Sequence, residues 1–302
     1  MSEYHNPVML RECIEGLAIK ADGIYVDITF GGGGHSKEIL KHLGEKGKLY
    51  AFDQDDEARL NAEAIDNRSF TFVQANFRNL KKYLRLHGVK KVDGILGDLG
   101  VSSHQINTAE RGFSTRFDGP LDMRMNQQQG VSAAEILNTY EERELHRILG
   151  QYGEVRNAKT LAAALCSERH LAPFETIEQL LDVLRKFAPR RKENRYFAQV
   201  FQGIRIEVNE EMKALEEMLE QSAEVLNENG RLVIMSYHSL EDRPVKNFIN
   251  KGKIYGELEK DLYGNVDKPF QAITRKPVTA SDNEINENNR ARSAKLRIAE
   301  KI

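Results

Sequence analysis

The chain has 302 residues, 40% of them hydrophobic and 30% charged, with 44 Lys and Arg against 46 Asp and Glu for a formal net charge of −2. That length buries a sizeable core and suits two domains, or one domain with a large insertion; the composition excludes disordered, collagen-like and membrane-embedded chains. No apolar run approaches the ~20 residues that span a bilayer, and the first residues lack an export signal. Cys13 and Cys166 are too few for a disulfide framework or an all-cysteine zinc site. The expectation is a cytoplasmic protein with reduced thiols and no membrane partner. Near-neutral charge argues against a histone-like polycation, yet a local basic patch suffices to bind nucleic acid.

Along the first hundred residues two periods alternate. Gly23–Asp27 reads as a short strand entering a glycine run, and Ser36–Leu43 has helical spacing. Lys48–Asp53, Phe70–Val73 and Val92–Leu96, the last running on to Asp98, read as further strands; Asp56–Ile65 and Leu80–His87 read as helices. Such alternation predicts βαβ units around a parallel sheet. From about Asn107 to Arg205 the character changes: Ala133–Asn138, Glu142–Tyr152, Ala158–Glu168 and Thr176–Phe187 all carry helical spacing with no convincing strand. This segment is expected to be a helical insertion. The alternating pattern then resumes with a helix over Glu210–Leu226, a turn at Asn229-Gly230, a strand over Arg231–Ser236 and a helix over Leu240–Asn250. Gly252–Glu287 is polar and weakly patterned, with Gln271–Thr274 and Ala294–Ile298 as terminal strand candidates.

The sharpest local feature is Asp27-Ile-Thr-Phe-Gly-Gly-Gly-Gly-His-Ser36, at the turn from the first strand into the first helix. Glycines there permit positive φ and close backbone approach to a ligand, and a helix start offers free N–H groups. Asp53 ends the second strand, placed to accept the hydroxyls of a ribose, and Asp98 ends the fourth on the same ligand-binding edge. The missing Gly-Lys-Ser/Thr argues against a phosphate-binding P-loop. A nicotinamide site fits Gly31, Gly33 and Ser36 loosely. An acidic residue just before the loop, Asp27, and the lack of any hydride-transfer constellation favour S-adenosylmethionine.

Several blocks resemble signatures of the bacterial small-subunit rRNA methyltransferase H (MraW) family. They are His5-Asn-Pro-Val-Met-Leu-Arg-Glu12, Thr29–Ser36, Gly97-Asp-Leu-Gly-Val-Ser-Ser103, Glu110-Arg-Gly-Phe-Ser114, Asp118–Met125, Arg205-Ile-Glu-Val-Asn209, Ser236–Arg243 and Arg290–Ala294. The blocks run in order through the whole chain. The resemblance implies a class I, Rossmann-like α/β methyltransferase with an inserted helical domain: residues 1–106 and 206–302 as the methyltransferase domain with a basic C-terminal tail, and 107–205 as an RNA-recognition insertion. It implies S-adenosylmethionine-dependent methylation of the N4 amine of a decoding-centre cytidine in 16S rRNA, with the small ribosomal subunit as partner. Gly33, Gly34, His35, Asp53, Phe77, Asp98 and Gln105 are implied to bind the cofactor. An NAD(P)-dependent oxidoreductase and a non-catalytic RNA-binding assembly factor stand as the alternatives.

Cytosine N4 is a weak nucleophile, so a transferase must align it and accept hydrogen bonds from its protons as it becomes pyramidal. The loop after the fourth strand, Asp98-Leu-Gly-Val-Ser-Ser103, has neither the proline pair nor the aromatic common in amino-methyltransferases. Asp98 is therefore a catalytic candidate as well as a cofactor one. Tyr237 is a candidate to stack on the target base and His238 to hydrogen-bond it; alternatively His238 and Glu241 cap the next helix and pair with Arg243. For RNA, Arg185, Lys186, Arg190, Arg191, Lys192, Arg195 and Arg205 gather near Tyr196, Phe197 and Phe201, suiting phosphate contact with base stacking. Arg290, Arg292, Lys295 and Arg297 form a second basic group, and Arg111, Arg116 and Arg124 sit in a long polar loop. Asp53-Gln-Asp-Asp56 lacks the glycine and terminal glutamate of a calcium loop, so no metal is expected.

Overall fold

The computed structural model describes residues 7–258, 264 and 266–302; His5 and Asn6 of the first block, and part of the Gly252–Glu287 stretch, lie outside them. The chain divides into two units, one formed by residues up to Gly100 together with Met212–Ile302, the other by Val101–Glu211. The second unit extends six residues beyond the expected 107–205 at each end.

The first unit is built on seven strands: β1 (Ile24–Asp27), β2 (Lys48–Asp53), β3 (Phe70–Gln74), β4 (Val92–Asp98), β5 (Leu226–Ser236), β6 (Phe270–Ala272) and β7 (Lys295–Lys301). They lie in the order β3-β2-β1-β4-β5-β7-β6. Strands β1 to β5 are parallel, and β7 runs antiparallel to both β5 and β6. This is a doubly wound, Rossmann-like α/β sheet. Helices α1 (Leu10–Leu17), α2 (Gly34–His42), α3 (Asp56–Glu63) and α4 (Leu80–Leu86) belong to its first half. Neighbouring strand residues serve opposite faces: Val26, Ile95, Leu232 and Ile234 join one core cluster, while Tyr25, Leu96, Val233 and Met235 join another. That alternation is the period-two pattern of a sheet covered on both sides.

Strand β5 starts at Leu226, earlier than the Arg231 expected. Val92 pairs with Leu226, and the next pair is Gly94 with Arg231, so the extra residues form an irregularity within the strand. Asn229 takes φ 62°, the turn conformation anticipated at Asn229-Gly230, without ending the strand.

The second unit carries α5 (Ser103–Asn107), α6 (Ala133–Thr139), α7 (Glu142–Arg147), which runs into a wider π turn at Ile148–Tyr152, α8 (Ala158–Leu171), α9 (Ile177–Phe187) and α10 (Glu193–Val208). Ser102, Ser132 and Thr176 start three of these helices with reciprocal capping boxes to Gln105, Glu135 and Gln179. Helix α10 was not anticipated. Its residues Tyr196, Phe197, Val200, Phe201 and Ile204 recur at helical spacing and enter the core of the unit. The chain returns to the first unit along α11 (Glu211–Val225), followed by α12 (Ser239–Lys251) and α13 (Asp282–Glu287). No helix among the described residues is long and apolar enough to cross a membrane.

Candidate active site at the carboxyl edge of the sheet

Parallel register brings Asp27 beside Leu96 and Ala51, Asp53 beside Gln74, and Asp98 beside Met235. Three carboxylates thus share the edge where parallel strands end, and the loop leaving each strand determines how its carboxylate is used.

Asp27 faces inward. Its carboxylate accepts the Ser36 hydroxyl at 2.7 Å and the Thr29 N–H at 3.0 Å, and the residue is 1% exposed. Burial raises its pKa, opposed chiefly by His35 and then by the Ser36 bond. The clamp folds the glycine loop back on its strand. Gly33, with φ 75° and ψ 16°, starts α2 in the left-handed region, and a Cβ there would stand 2.7 Å from the Phe30 ring, so both backbone shape and packing demand glycine. A Cβ on Gly34 would collide with Pro7. Thr29 closes the arrangement: its hydroxyl oxygen accepts the Asp98 N–H at 2.7 Å, linking the ends of β1 and β4. Asp27 and Ser36 are legible in the sequence as loop markers. Thr29 opens the block Thr29–Ser36, but its link to Asp98 has no signal in the sequence.

Asp53 is half-buried and accepts the Gly31 N–H at 2.8 Å and the Asp55 N–H at 3.0 Å. Desolvation, the largest effect, pushes its pKa up to about 6 against those hydrogen bonds. Across the β2–β3 edge, Asn76 donates to Gln54 at 3.1 Å and caps the turn that presents half-buried Phe77.

Asp98 is pinned on one side. Its Oδ1 accepts the Tyr237 hydroxyl at 2.7 Å, and its Oδ2 lies 4.0 Å from His35 Nδ1. The opposite ring nitrogen of His35 lies 3.2 Å from the Val8 carbonyl, an acceptor only, so that nitrogen carries a proton. Burial lifts the Asp98 pKa to about 6, with His35 and the Tyr237 bond pulling the other way. Tyr237 was expected to stack on a base; its ring instead packs beside the core cluster of Val233 and Met235 and its hydroxyl serves Asp98. Burial and the neighbouring Asp98 raise the Tyr237 pKa far above its usual value, so the hydroxyl stays a donor. Glu241, 2% exposed, reaches back from the first turn of α12 to accept the Tyr237 N–H at 2.8 Å, and lies 3.2 Å from His238 Nε2. His238 is the residue just before α12, although its side chain makes no capping bond; it pairs with Glu241 rather than with Arg243 in that contact.

Gln105 belongs to the second unit, where it is buried and its side-chain oxygen accepts the Ser102 N–H at 2.9 Å in the capping box of α5. The basic stretch of that unit divides sharply. Arg190, Arg191, Lys192 and Arg195 are exposed. Arg185 pairs with Glu178 and Asp182, Lys186 with Glu168, and Arg205 holds Glu211 through two bonds of 2.7 and 2.9 Å. The aromatic residues expected to stack on bases are inside: Tyr196, Phe197 and Phe201 are 4%, 8% and 5% exposed. The amphipathic period of α10 turns them to the core and the cations outward. Arg111 is likewise a structural residue, 6% exposed and donating to the carbonyls of Arg124 and Met125, while Arg124 holds Asp122. In the tail Arg292 and Lys295 are exposed, Arg290 is half-buried, and Arg297 grips Asp242 at 2.7 and 3.0 Å.

A family model described as the MraW methylase family matches residues 2–302. The chain belongs to the MraW methylase family. It is 61% identical over 298 residues to the ribosomal RNA small subunit methyltransferase H of Cytophaga hutchinsonii, covering 99% of both chains. Against the protein of the same name from Flavobacterium johnsoniae it is 56% identical over 300 residues, covering 99% of this chain and 98% of the relative. As an MraW methylase the chain is an enzyme whose methyl donor is S-adenosylmethionine, and the nicotinamide alternative falls. The residues present fit that donor. Asp27, Asp53 and Asp98 make this edge anionic, which suits a cationic sulfonium and a ribose and opposes the pyrophosphate of a dinucleotide.

Proposed function

We propose that this chain methylates the N4 amine of a cytidine in the decoding centre of 16S rRNA, acting on the small ribosomal subunit in the cytoplasm. Relatives more than half identical over nearly the whole chain carry names that specify small-subunit ribosomal RNA. Bound S-adenosylmethionine supplies an electrophilic methyl group. Asp53 is suited to accept its ribose hydroxyls, the Gly33-Gly34-His35 turn to bring backbone close to it, and Phe77 to flank its base.

The observation that carries the choice of an amine is the state of Asp98. One oxygen accepts the Tyr237 hydroxyl, and the other, 4.0 Å from His35 Nδ1, keeps acceptor capacity that an amino group at the strand edge can use. Such a bond strengthens as the nitrogen loses conjugation with the ring, so it stabilises the transition state more than the bound base. Glu241 acts one step back, holding the Tyr237 backbone, and His238 leans on Glu241. Methylation at a ring carbon of a pyrimidine calls instead for a thiolate to activate the ring. Cys13 is fully buried, and burial followed by the charge of Asp98 raises its pKa well above the usual thiol value. It remains a protonated core residue.

The test is mass spectrometry of 16S rRNA nucleosides from cells with and without the gene. N4-methylated cytidine is expected to disappear on deletion, to return with the wild-type gene, and to stay absent with Asp98→Ala. An unchanged nucleoside profile on deletion overturns the substrate.

A further inference from the structure

The aromatic residues of α10 are withdrawn into the core, so an exposed aromatic elsewhere in the second unit has to be sought if an unpaired base is to be held there. The segment from Arg111 to Met125 provides one. Gly112 and Gly119 close a six-residue loop, 113–118, because each lies where no side chain fits. A Cβ on Gly112 would stand 2.5 Å from the Pro120 carbonyl oxygen, and one on Gly119 would stand 2.4 Å from the Ala109 carbonyl oxygen. Below this neck the chain is fastened on several sides. Pro120 bridges Thr176, Ile177 donates to the Gly119 carbonyl at 2.9 Å, Arg111 holds the carbonyls of Arg124 and Met125, and Asn209 bonds Met123 and Met125. Asp118 is also committed, accepting the N–H groups of Gly119 and Glu178.

What this fastened loop presents to solvent is Phe117, 42% exposed, with the Arg116 guanidinium 5.3 Å from its ring centroid. Arg116 is itself oriented, donating to Asn107 at 2.8 Å and to the Ser114 hydroxyl at 3.3 Å. A phenyl ring left 42% exposed at a fastened loop tip forgoes much of the free energy that full burial would supply. A flat ring with a cation over it, held on a stiff mount, is the arrangement that stacks on a nucleobase while attracting its phosphate. We infer that Phe117 and Arg116 form a stacking platform for an unpaired nucleobase of the RNA substrate.

This inference rests on the reading of the chain as an RNA methylase, and its test separates the two. A single-stranded RNA oligonucleotide carrying 2-aminopurine reports stacking by fluorescence quenching, with a blunt RNA duplex as control. The wild type is expected to quench the single strand and not the duplex. Phe117→Ala is expected to lose the quenching and weaken binding about tenfold, Phe117→Tyr to restore both, and Arg116→Gln to weaken binding to a lesser degree; S-adenosylmethionine affinity is expected to stay unchanged in all three. Equal quenching and affinity in wild type and Phe117→Ala overturn the platform. Quenching by a wild type that leaves 16S rRNA unmethylated upholds the platform and overturns the proposed substrate. A wild type that neither quenches nor methylates overturns both.

Discussion

The carboxyl edge of the sheet and the basic stretch of the helical unit use charge in opposite ways. At the edge, Asp27, Asp53 and Asp98 are drawn inward and held by hydrogen bonds that only partly offset desolvation, so the pKa of Asp53 and that of Asp98 are pushed up to about 6. In α10 and the turn before it, Arg190, Arg191, Lys192 and Arg195 stay in water while the neighbouring aromatics make the core. A group whose position is enforced can act on a reaction. A solvated cation acts chiefly on encounter and on ionic-strength dependence.

Removing Asp98 tests the edge most severely. In Asp98→Ala single-turnover methyl transfer, measured at saturating S-adenosylmethionine, is expected to fall at least about 100-fold, ~2.7 kcal/mol. The same group sets a pH limb. In the proposed role only the ionised carboxylate accepts from a cytosine amine, so the rate is expected to rise with pH through about 6. The Tyr237 bond favours the ionised form, so Tyr237→Phe is expected to move that limb to higher pH. A limb that does not move places Tyr237 outside the reaction.

Asp53→Ala is the next largest. The loss of one charge-assisted bond of about 1.5–3 kcal/mol predicts a weakening of cofactor affinity by about 10- to 150-fold, readable by calorimetry. Its pH dependence has two signs. The folded-state pKa lies above the ordinary Asp value, so the folded chain binds the extra proton between about 4 and 6, and the stability that Asp53 contributes falls as pH rises through that window. Cofactor affinity runs the other way, increasing as the carboxylate ionises. The smallest effect is expected from the exposed cluster. Charge reversal at Arg190, Arg191 and Lys192 should raise the apparent KM for RNA about fivefold and flatten its salt dependence, leaving kcat and cofactor affinity alone. An unchanged salt slope would make the cluster an ordinary solvated surface.

Legibility in the sequence divides along the same line. Strand β2 was readable to the residue, and β1 and β4 nearly so, because both faces of a central parallel strand are buried and their apolar runs stop at polar edges. Asp53 and Asp98 were visible for that reason, as the first charges after such runs. Helix α10 was obscured because its cations and aromatics were read together as one RNA-binding surface, when the spacing of Tyr196, Phe197, Val200 and Phe201 divides them between two faces. The hydroxyl link from Thr29 to Asp98 spans 69 residues and depends on strand register, which no local pattern encodes. Arg111 had the composition of a phosphate ligand and became a loop fastener, since a guanidinium satisfies several carbonyls as readily as a phosphate.

Strands β4 and β5 are sheet neighbours, yet Asp98 and its partner Met235 are separated by 136 intervening residues, of which the second unit, Val101–Glu211, supplies 111. Without that unit the crossover would be 25 residues long. Loop-closure entropy grows only with the logarithm of length, so the longer excursion adds about 1.5 kcal/mol to pairing these strands. For equilibrium stability this is a modest burden, well within what one buried side chain offsets. For kinetics it is larger, because the central pairing that completes the Asp98–Tyr237 contact has a high sequence separation and is expected to form late. The carboxyl edge of the sheet at Asp98 would then be among the last parts to mature.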